Sequence, residues 1–100
     1  MKVRVTDDAK ADLQQIKAFI SEHNAIAAEG VIDRIRKMLT LLAVLPRLGH
    51  RGLVHGTFEK GVPRVPYLIV YRFDMTGDER VLVVLRVYHG AQPRSKDDQL

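Results

Sequence analysis

The last apolar run of the sequence, VLVVLRVYHG, ends in three side chains that could take part in chemistry: Arg86, Tyr88 and His89. Histidine titrates near neutral pH and can transfer a proton, and arginine can stabilise charge on a phosphate. A site that cleaves RNA could use such a set, with a base that deprotonates a ribose 2′-hydroxyl and an acid that protonates the leaving oxygen. The three residues therefore form the first candidate site.

The spacing of these residues does not by itself place them together. Side chains alternate across a strand, so Arg86 and Tyr88 share one face and His89 points to the other, unless Gly90 marks a bulge or the end of the strand. A histidine that forms a hydrogen bond at the margin of the core is the competing interpretation. From the pattern alone we favour this structural role slightly over a catalytic one.

Other chemistries lack a recognisable pattern. His50 and His55 lie five residues apart in a glycine-rich loop, and no third ligand has a typical spacing, so we expect no metal site. The chain has no cysteine, which excludes disulfides, iron–sulfur clusters and thiolate zinc sites. Glycine-rich nucleotide loops and the GxSxG serine motif are also absent, so no cofactor is expected.

The composition is that of one globular domain. The chain has 100 residues, of which 46% are hydrophobic, and its formal charge of +4 suits nucleic acid or an acidic protein as a partner without requiring either. The N-terminal MKVRVTDDAK lacks the apolar segment of a signal peptide, and no apolar run is long enough to span a membrane. We therefore expect a soluble cytoplasmic protein.

The N-terminal half predicts a strand and two helices. MKVRV alternates as a short strand, and Thr6 is a suitable N-cap for the first helix, as Asn24 is for the second. Apolar residues recur at helical spacing in two stripes: Ala9, Leu13, Ile16 and Ile20, then Ala28, Val31, Ile35, Met38, Leu42 and Leu45. Pro46 ends the second helix. Because only two or three residues separate the helices, they should form an antiparallel hairpin.

The C-terminal half predicts three antiparallel strands: TFEKG, VPYLIVYRFD and ERVLVVLRVYHG, the last two joined by a turn around Gly77. Residues 46–56 contain three glycines and predict a loop. The order of elements predicts an α+β fold, in which the helical hairpin packs on one face of a mainly antiparallel sheet. Residues 1–94 would form this single domain, and residues 95–100 a flexible tail.

The predicted register of the last two strands decides which residues face the helices. A turn symmetric about Gly77 gives the pairs Leu68 with Arg86, Val70 with Val84 and Arg72 with Leu82. The helix-covered face then carries Val65, Tyr67, Ile69, Tyr71, Phe73, Val81, Val83, Leu85 and Val87. The uncovered face carries Leu68, Val70, Leu82, Val84, Arg72, Arg86 and Tyr88. An unpaired buried arginine is costly, so its two arginines should be paired, hydrated or ready for a partner, and a merely solvated surface has even weight with a functional one.

These elements, in this order, resemble the RelE/ParE superfamily, the toxins of type II toxin–antitoxin modules. The similarity covers about residues 1–94 and depends on the hairpin that ends at Pro46, on PYLIVY and on VLRVYHG. It implies a cognate antitoxin whose C-terminal segment wraps around the toxin. The contacts predicted for that segment are a sheet edge and four apolar residues of the hairpin, Leu13, Ile20, Ile32 and Leu39. A basic toxin also suits an acidic antitoxin.

The two branches of the superfamily imply different targets. The RelE-like branch cleaves messenger RNA on the ribosome, and one of its arginines occupies the position of Leu68. No further Tyr or His follows His89, so that constellation is incomplete. The ParE-like branch, which is associated with inhibition of DNA gyrase and a block of replication, fits better and implies no catalytic residues. For the gyrase contact we predict Arg64, Arg72, Arg86, Tyr88 and Arg94.

Two alternatives remain open at this point. The first is a ribosome-dependent mRNA endonuclease, in which Arg86, Tyr88 and His89 are the working groups and Arg72 or Lys60 binds phosphate. The second is an inactive protein that serves only as a scaffold for the antitoxin.

Overall fold

The structure, a computed structural model, describes residues 1–90. Its elements are β1 (Lys2–Val5), α1 (Asp7–Ser21), α2 (Ala25–Val44), a 3₁₀ turn (Pro46–Leu48), β2 (His50–Arg51), β3 (Thr57–Gly61), β4 (Tyr67–Thr76) and β5 (Glu79–His89). The predicted strand, helical hairpin and three-strand meander are confirmed. The tail proposed for residues 95–100 lies outside the described residues.

Both helices begin at the predicted caps. The Thr6 hydroxyl accepts a hydrogen bond from the Ala9 N–H at 3.1 Å, and the Asn24 side chain accepts one from the Ala27 N–H at 2.9 Å. The Thr6 hydroxyl also donates to the Leu85 carbonyl at 3.0 Å, which ties the start of α1 to β5. The second helix ends at Val44, just before Pro46, as expected for a residue without a helical N–H.

The five strands form one sheet in the order β1-β5-β4-β3-β2, with β1 parallel to β5 and the other neighbours antiparallel. The prediction of a plain loop over residues 46–56 is wrong in part, because the segment contains the 3₁₀ turn and β2. The Tyr71 hydroxyl holds the start of this segment in place, because it donates to the Pro46 carbonyl at 2.9 Å and accepts from the Gly49 N–H at 3.1 Å. The segment is thereby attached to the sheet.

The predicted register of β4 and β5 is wrong. The turn consists of two residues, Gly77 and Asp78, between the paired residues Thr76 and Glu79, so it is not symmetric about Gly77. The glycine has φ +60°, as such tight hairpin turns require. The pairs found in place of the predicted ones are Phe73 with Leu82, Arg72 with Val83, Tyr71 with Val84, Val70 with Arg86 and Leu68 with Tyr88.

A bulge at Leu85 changes the phase of β5 a second time. Leu85 is the extra residue between the pair Tyr71–Val84 and the pair Val70–Arg86, so it has no partner on β4. The shift at the turn and the shift at the bulge have opposite effects on the faces of β5. Between the turn and the bulge, each residue of β5 lies on the face opposite to the predicted one. After the bulge, each residue lies on the predicted face.

The core shows this reversal. Leu82 and Val84 join the helix-covered core, whereas Val81 and Val83, which were predicted there, lie on the opposite face beside Asp74 and Arg72. The core members are Ala9, Ile32, Ile35, Met38, Leu39, Leu42, Val62, Tyr67, Ile69, Tyr71, Leu82, Val84 and Val87. Both helices pack on this side. The opposite side of the sheet, called the far face below, has no helix of residues 1–90 on it.

Candidate functional site

Past the end of β1, the outer edge of β5 has no neighbouring strand among residues 1–90. β1 pairs with β5 only up to Val5, opposite Val84, and the Thr6 N–H then donates to the Val84 carbonyl at 3.1 Å. Residues 85–89 continue past this point, next to α1. They enclose with α1 a cavity of about 310 Å³, the β5-end cavity, which is lined by Asp12, Gln15, Ile16, Phe19, Tyr67, Arg86, Val87 and His89.

The central contact of this site is an ion pair between Arg86 and Asp12. The Arg86 Nε lies 2.8 Å from Asp12 Oδ2, and its Nη2 lies 2.9 Å from Oδ1. The Val87 N–H donates to the same Oδ2 at 2.9 Å. Asp12 is only 9% exposed, so the pair is largely removed from solvent on its acidic side. Donation of hydrogen bonds to the Asp12 carboxylate raises the pKa of Arg86, which stays charged.

Sequence reasoning missed Asp12, although the sequence contained a signal. Position 12 is three residues after Ala9 and four before Ile16, so it lies on the apolar stripe of α1. A carboxylate there would be buried and must have a partner. An arginine near the end of a neighbouring strand was the available candidate.

Tyr88 lies on the far face, opposite Leu68 on β4. It is 2% exposed, and the guanidinium carbon of Arg86 is 4.9 Å from the centre of its ring. The ring therefore offers almost no surface to a target. Leu68 itself is half-buried, and because its side chain is apolar, it places no charge at this position of the far face.

His89 lies on the helix side of the sheet, as alternation predicts. It pairs with Tyr67, and the two rings meet edge to face with 5.5 Å between their centres. His89 is exposed, and the Gly90 N–H donates to the Pro66 carbonyl at 2.7 Å just beyond it. His89 is thus separated from Tyr88 by the sheet, although the Arg86 side chain reaches around the edge of β5 and lines the same cavity as His89.

Arg72 has a partner on the far face. Its Nε and Nη2 lie 3.1 Å from the two carboxylate oxygens of Asp74, and Arg4 Nη2 lies 3.3 Å from Asp74 Oδ2. Hydrogen bonding from Arg72 lowers the pKa of Asp74. Of the three options given for Arg72, the structure therefore shows pairing, with 43% of the side chain still exposed.

The other residues predicted to bind a target or phosphate do not gather at the end of β5. Arg64 is exposed in the connection between β3 and β4, where its φ is +69°, an uncommon value for a non-glycine residue. Lys60 is opposite Ile69 and so lies on the helix side. Arg94 lies outside the described residues.

The four hairpin residues predicted to contact an antitoxin differ in burial. Ile32 and Leu39 belong to the core, at 4% and 8% exposed, and Leu13 and Ile20 are half-buried against it. The core positions offer little surface to a partner while the hairpin keeps this packing. The large apolar side chains that the helices do expose are Phe19, Ile26, Leu41 and Val44.

The described residues show no cluster of metal ligands and no helix that could span a membrane. Over residues 1–90 no three His, Asp or Glu side chains are placed to hold one ion. His50 Nε2 lies 3.7 Å from Glu59 Oε1, but no third ligand joins them among these residues. Neither α1 nor α2 has the length and apolar character that a bilayer span needs.

Comparison with known families decides the identity of the fold. Residues 3–94 match the family described as ParE toxin of type II toxin-antitoxin system, parDE. The chain belongs to the ParE toxin family. The resemblance to the RelE/ParE superfamily, and to its ParE-like branch, is confirmed.

Relatives of this ParE toxin agree with the match. The protein named Putative toxin Y4kP of Sinorhizobium fredii is 31% identical over 87 residues, which cover 87% of this chain and 88% of that one. A chain of the structure described as Chromosomal ParDE TA system from P. aeruginosa superposes with a TM-score of 0.73, at 21% identity, over 89% of this chain and 95% of that one. The RelBE2 toxin–antitoxin complex of Mycobacterium tuberculosis gives 0.63, at 25% identity, over 88% and 95%.

Within this ParE toxin, the three candidate residues at the end of β5 have three different environments. Arg86 is paired with an acid of α1, Tyr88 is buried on the far face, and His89 is exposed on the helix side. General acid–base chemistry on one phosphate needs such groups within hydrogen-bond reach of the same atoms. This arrangement instead joins α1 to the end of the sheet.

Proposed function

We propose that this ParE toxin inhibits DNA gyrase, without cleaving messenger RNA, and that a cognate antitoxin neutralises it. The main support is the bidentate pair between Arg86 and Asp12. A guanidinium that already donates two hydrogen bonds to a carboxylate is not preorganised to stabilise a phosphate in a transition state. The apolar Leu68 and the separation of Tyr88 from His89 point the same way.

The antitoxin is supported by the nature of the relatives and by charge. The structures of P. aeruginosa and M. tuberculosis come from a toxin–antitoxin system and a toxin–antitoxin complex. The formal charge of +4 on this chain favours a partner with acidic segments. Such a partner would keep the toxin inactive until it is removed.

The target contact is assigned to accessible basic residues. Arg64 is exposed and forms no ion pair within residues 1–90, so it can meet an acidic surface without first breaking an internal bond. Arg72 is partly exposed but must share or leave Asp74. Arginines of this kind steer association and can dominate binding energy.

A supercoiling assay with purified gyrase and relaxed plasmid tests the proposal. The wild-type toxin should inhibit supercoiling or trap cleaved DNA, and Arg64→Ala should need about tenfold more toxin for the same effect, as for loss of one strong interface arginine. Arg36→Ala, the same charge change on the exposed side of α2, is the control and should behave as wild type. A toxin that leaves gyrase unaffected at a large excess would contradict the proposal.

The second candidate is the ribosome-dependent mRNA endonuclease. It is favoured by one observation: Arg86 and His89 line the same cavity, so a shift of α1 could bring both to one ligand. Rapid fragmentation of messenger RNA after induction in cells, abolished by His89→Ala, would establish this function in place of gyrase inhibition. Cell filamentation with a DNA-damage response is expected instead, and complete lack of toxicity would support the scaffold.

A further inference from the structure

A second cavity lies at the other end of β5, away from the β5-end cavity. It has a volume of about 290 Å³ and is lined by Pro46, Arg47, Gly49, Phe58, Phe73 and Arg80. We call it the aromatic pocket. Two of its residues belong to the 3₁₀ turn, and Gly49 lies between that turn and β2. The strands β3, β4 and β5 supply one residue each, Phe58, Phe73 and Arg80. The proposed gyrase contact uses none of these residues.

The walls of the aromatic pocket are held in place by a buried tyrosine. The Tyr71 hydroxyl bonds to both Pro46 and Gly49, and its ring stacks on Phe58 with 5.7 Å between ring centres and 27° between planes. Phe58 in turn contacts Phe73 at 5.4 Å. The apolar floor is therefore part of the folded core and exists before any ligand binds.

The charge of the aromatic pocket is positive. The guanidinium carbon of Arg80 lies 4.3 Å above the centre of the Phe73 ring, and Arg47 stands exposed on the 3₁₀ turn. Within residues 1–90 neither arginine forms an ion pair, and no lining residue is acidic. An anionic ligand with an apolar part would complement both features.

The arrangement of the rings distinguishes a peptide from a nucleic acid. A nucleobase needs a free aromatic face to stack on. Arg80 covers one face of Phe73, and Tyr71 stacks on Phe58, so each ring already has a neighbour on one face. A branched aliphatic side chain can fill the remaining space without stacking, while carboxylates beside it meet the two arginines.

We propose that the aromatic pocket binds an acidic, extended segment of the antitoxin, anchored by one apolar side chain, with Arg47 and Arg80 as the charge partners. The choice of the antitoxin as source rests on the proposed function. A flexible segment can follow the surface from the hairpin to this end of the sheet, because segments that fold on binding can wrap a large surface. The pocket then adds a second point of attachment.

Peptide binding tests the pocket without gyrase or antitoxin. The probe is a fluorescein-labelled nonapeptide of Glu and Asp with a central Leu, measured by anisotropy with the full-length toxin. The double variant Arg47→Gln/Arg80→Gln should weaken binding at least tenfold, and replacing the central Leu by Ser should do the same. The double variant Arg34→Gln/Arg36→Gln, with the same change of charge on α2, should stay within twofold of wild type.

Two results would overturn the inference. One is binding that is absent in the wild type or equal in both double variants, and the other is tighter binding of an oligothymidylate that depends on Arg47 and Arg80. In the complex with the antitoxin, the Arg47/Arg80 variant should also raise the dissociation constant about tenfold, while its inhibition of gyrase stays at the wild-type level. A gyrase assay that fails with wild-type toxin would remove the gyrase half of the proposed function and leave the peptide result intact.

Discussion

Asp12 and Arg86 form a bidentate ion pair that joins the first helix to the end of the last described strand, across 74 residues of sequence. The same carboxylate accepts the Val87 N–H, so it holds both a side chain and the backbone of β5. Arg86 is therefore a structural residue in this fold, whatever the toxin binds.

Loss of Asp12 should be among the most destabilising single changes in α1. Asp12→Ala removes the carboxylate that accepts from a partly buried arginine and from a backbone N–H, and we expect the free energy of unfolding to fall by about 2–4 kcal/mol. Asp12→Asn keeps one acceptor and should cost less. Urea denaturation measures both. Asp33→Asn, which removes only the exposed pair with Lys37, serves as control and should change stability by less than about 0.5 kcal/mol.

The Tyr71 hydroxyl should contribute measurably to stability. Tyr71→Phe removes the bonds to the Pro46 carbonyl and the Gly49 N–H while keeping the ring, and we expect a loss of about 1–2 kcal/mol. Tyr67→Phe is the matched control, because the Tyr67 hydroxyl has no hydrogen bond within residues 1–90. Equal denaturation midpoints for the two variants would show that attachment of the 3₁₀ turn adds nothing.

Stability should fall at alkaline pH. Burial raises the pKa of Tyr67 and of Tyr71, whereas in the unfolded chain both phenols titrate near the ordinary value of about 10. Above that pH the unfolded state loses protons that the folded state keeps, so the free energy of unfolding decreases as pH rises. Absorbance at 295 nm should show that Tyr67 and Tyr71 ionise at higher pH than an exposed phenol. Denaturation at pH 9 and 11 should show a smaller decrease for Tyr71→Phe than for wild type.

Two glycines should respond in opposite directions to replacement by alanine. At Gly49 a Cβ would collide with the Tyr71 hydroxyl and lie 2.8 Å from the Glu59 carbonyl, so Gly49→Ala should destabilise by about 1–3 kcal/mol. At Gly30, inside α2, a Cβ meets nothing within 4 Å, and Gly30→Ala should stabilise by about 1 kcal/mol. Thermal melting of the two variants is sufficient, and a melting temperature of Gly49→Ala at or above that of the wild type would refute the close packing at Gly49.

The elements that repeat a period over many residues were predictable from the sequence. The stripes of α1 and α2, with caps at Thr6 and Asn24 and a stop at Pro46, each depend on several residues that agree. The order of β3, β4 and β5 followed from the short connections between them, whereas the pairing of β1 with β5 and the strand β2 were not predicted. The prediction of these helices does not depend on the correct interpretation of any single residue.

The features that depend on one residue were not predictable. The two-residue turn at Gly77 and the bulge at Leu85 each shift the pairing by a single position, and each reverses the faces of a strand. Arg86 and Tyr88 were assigned to the correct face because the two errors cancel. Asp12 was missed because a helix stripe specifies which positions are buried, and only the folded chain shows which strand supplies the partner.

The position of Asp12 also affects how the protein avoids self-association. An unpaired strand edge can recruit a strand from another molecule and start aggregation. Beyond Val5 the edge of β5 has no neighbouring strand within residues 1–90, and there the Asp12 carboxylate accepts the Val87 N–H that an incoming strand would use. A negatively charged side chain thus occupies one of the edge donors, and concentrated Asp12→Ala protein should form more intermolecular sheet than the wild type.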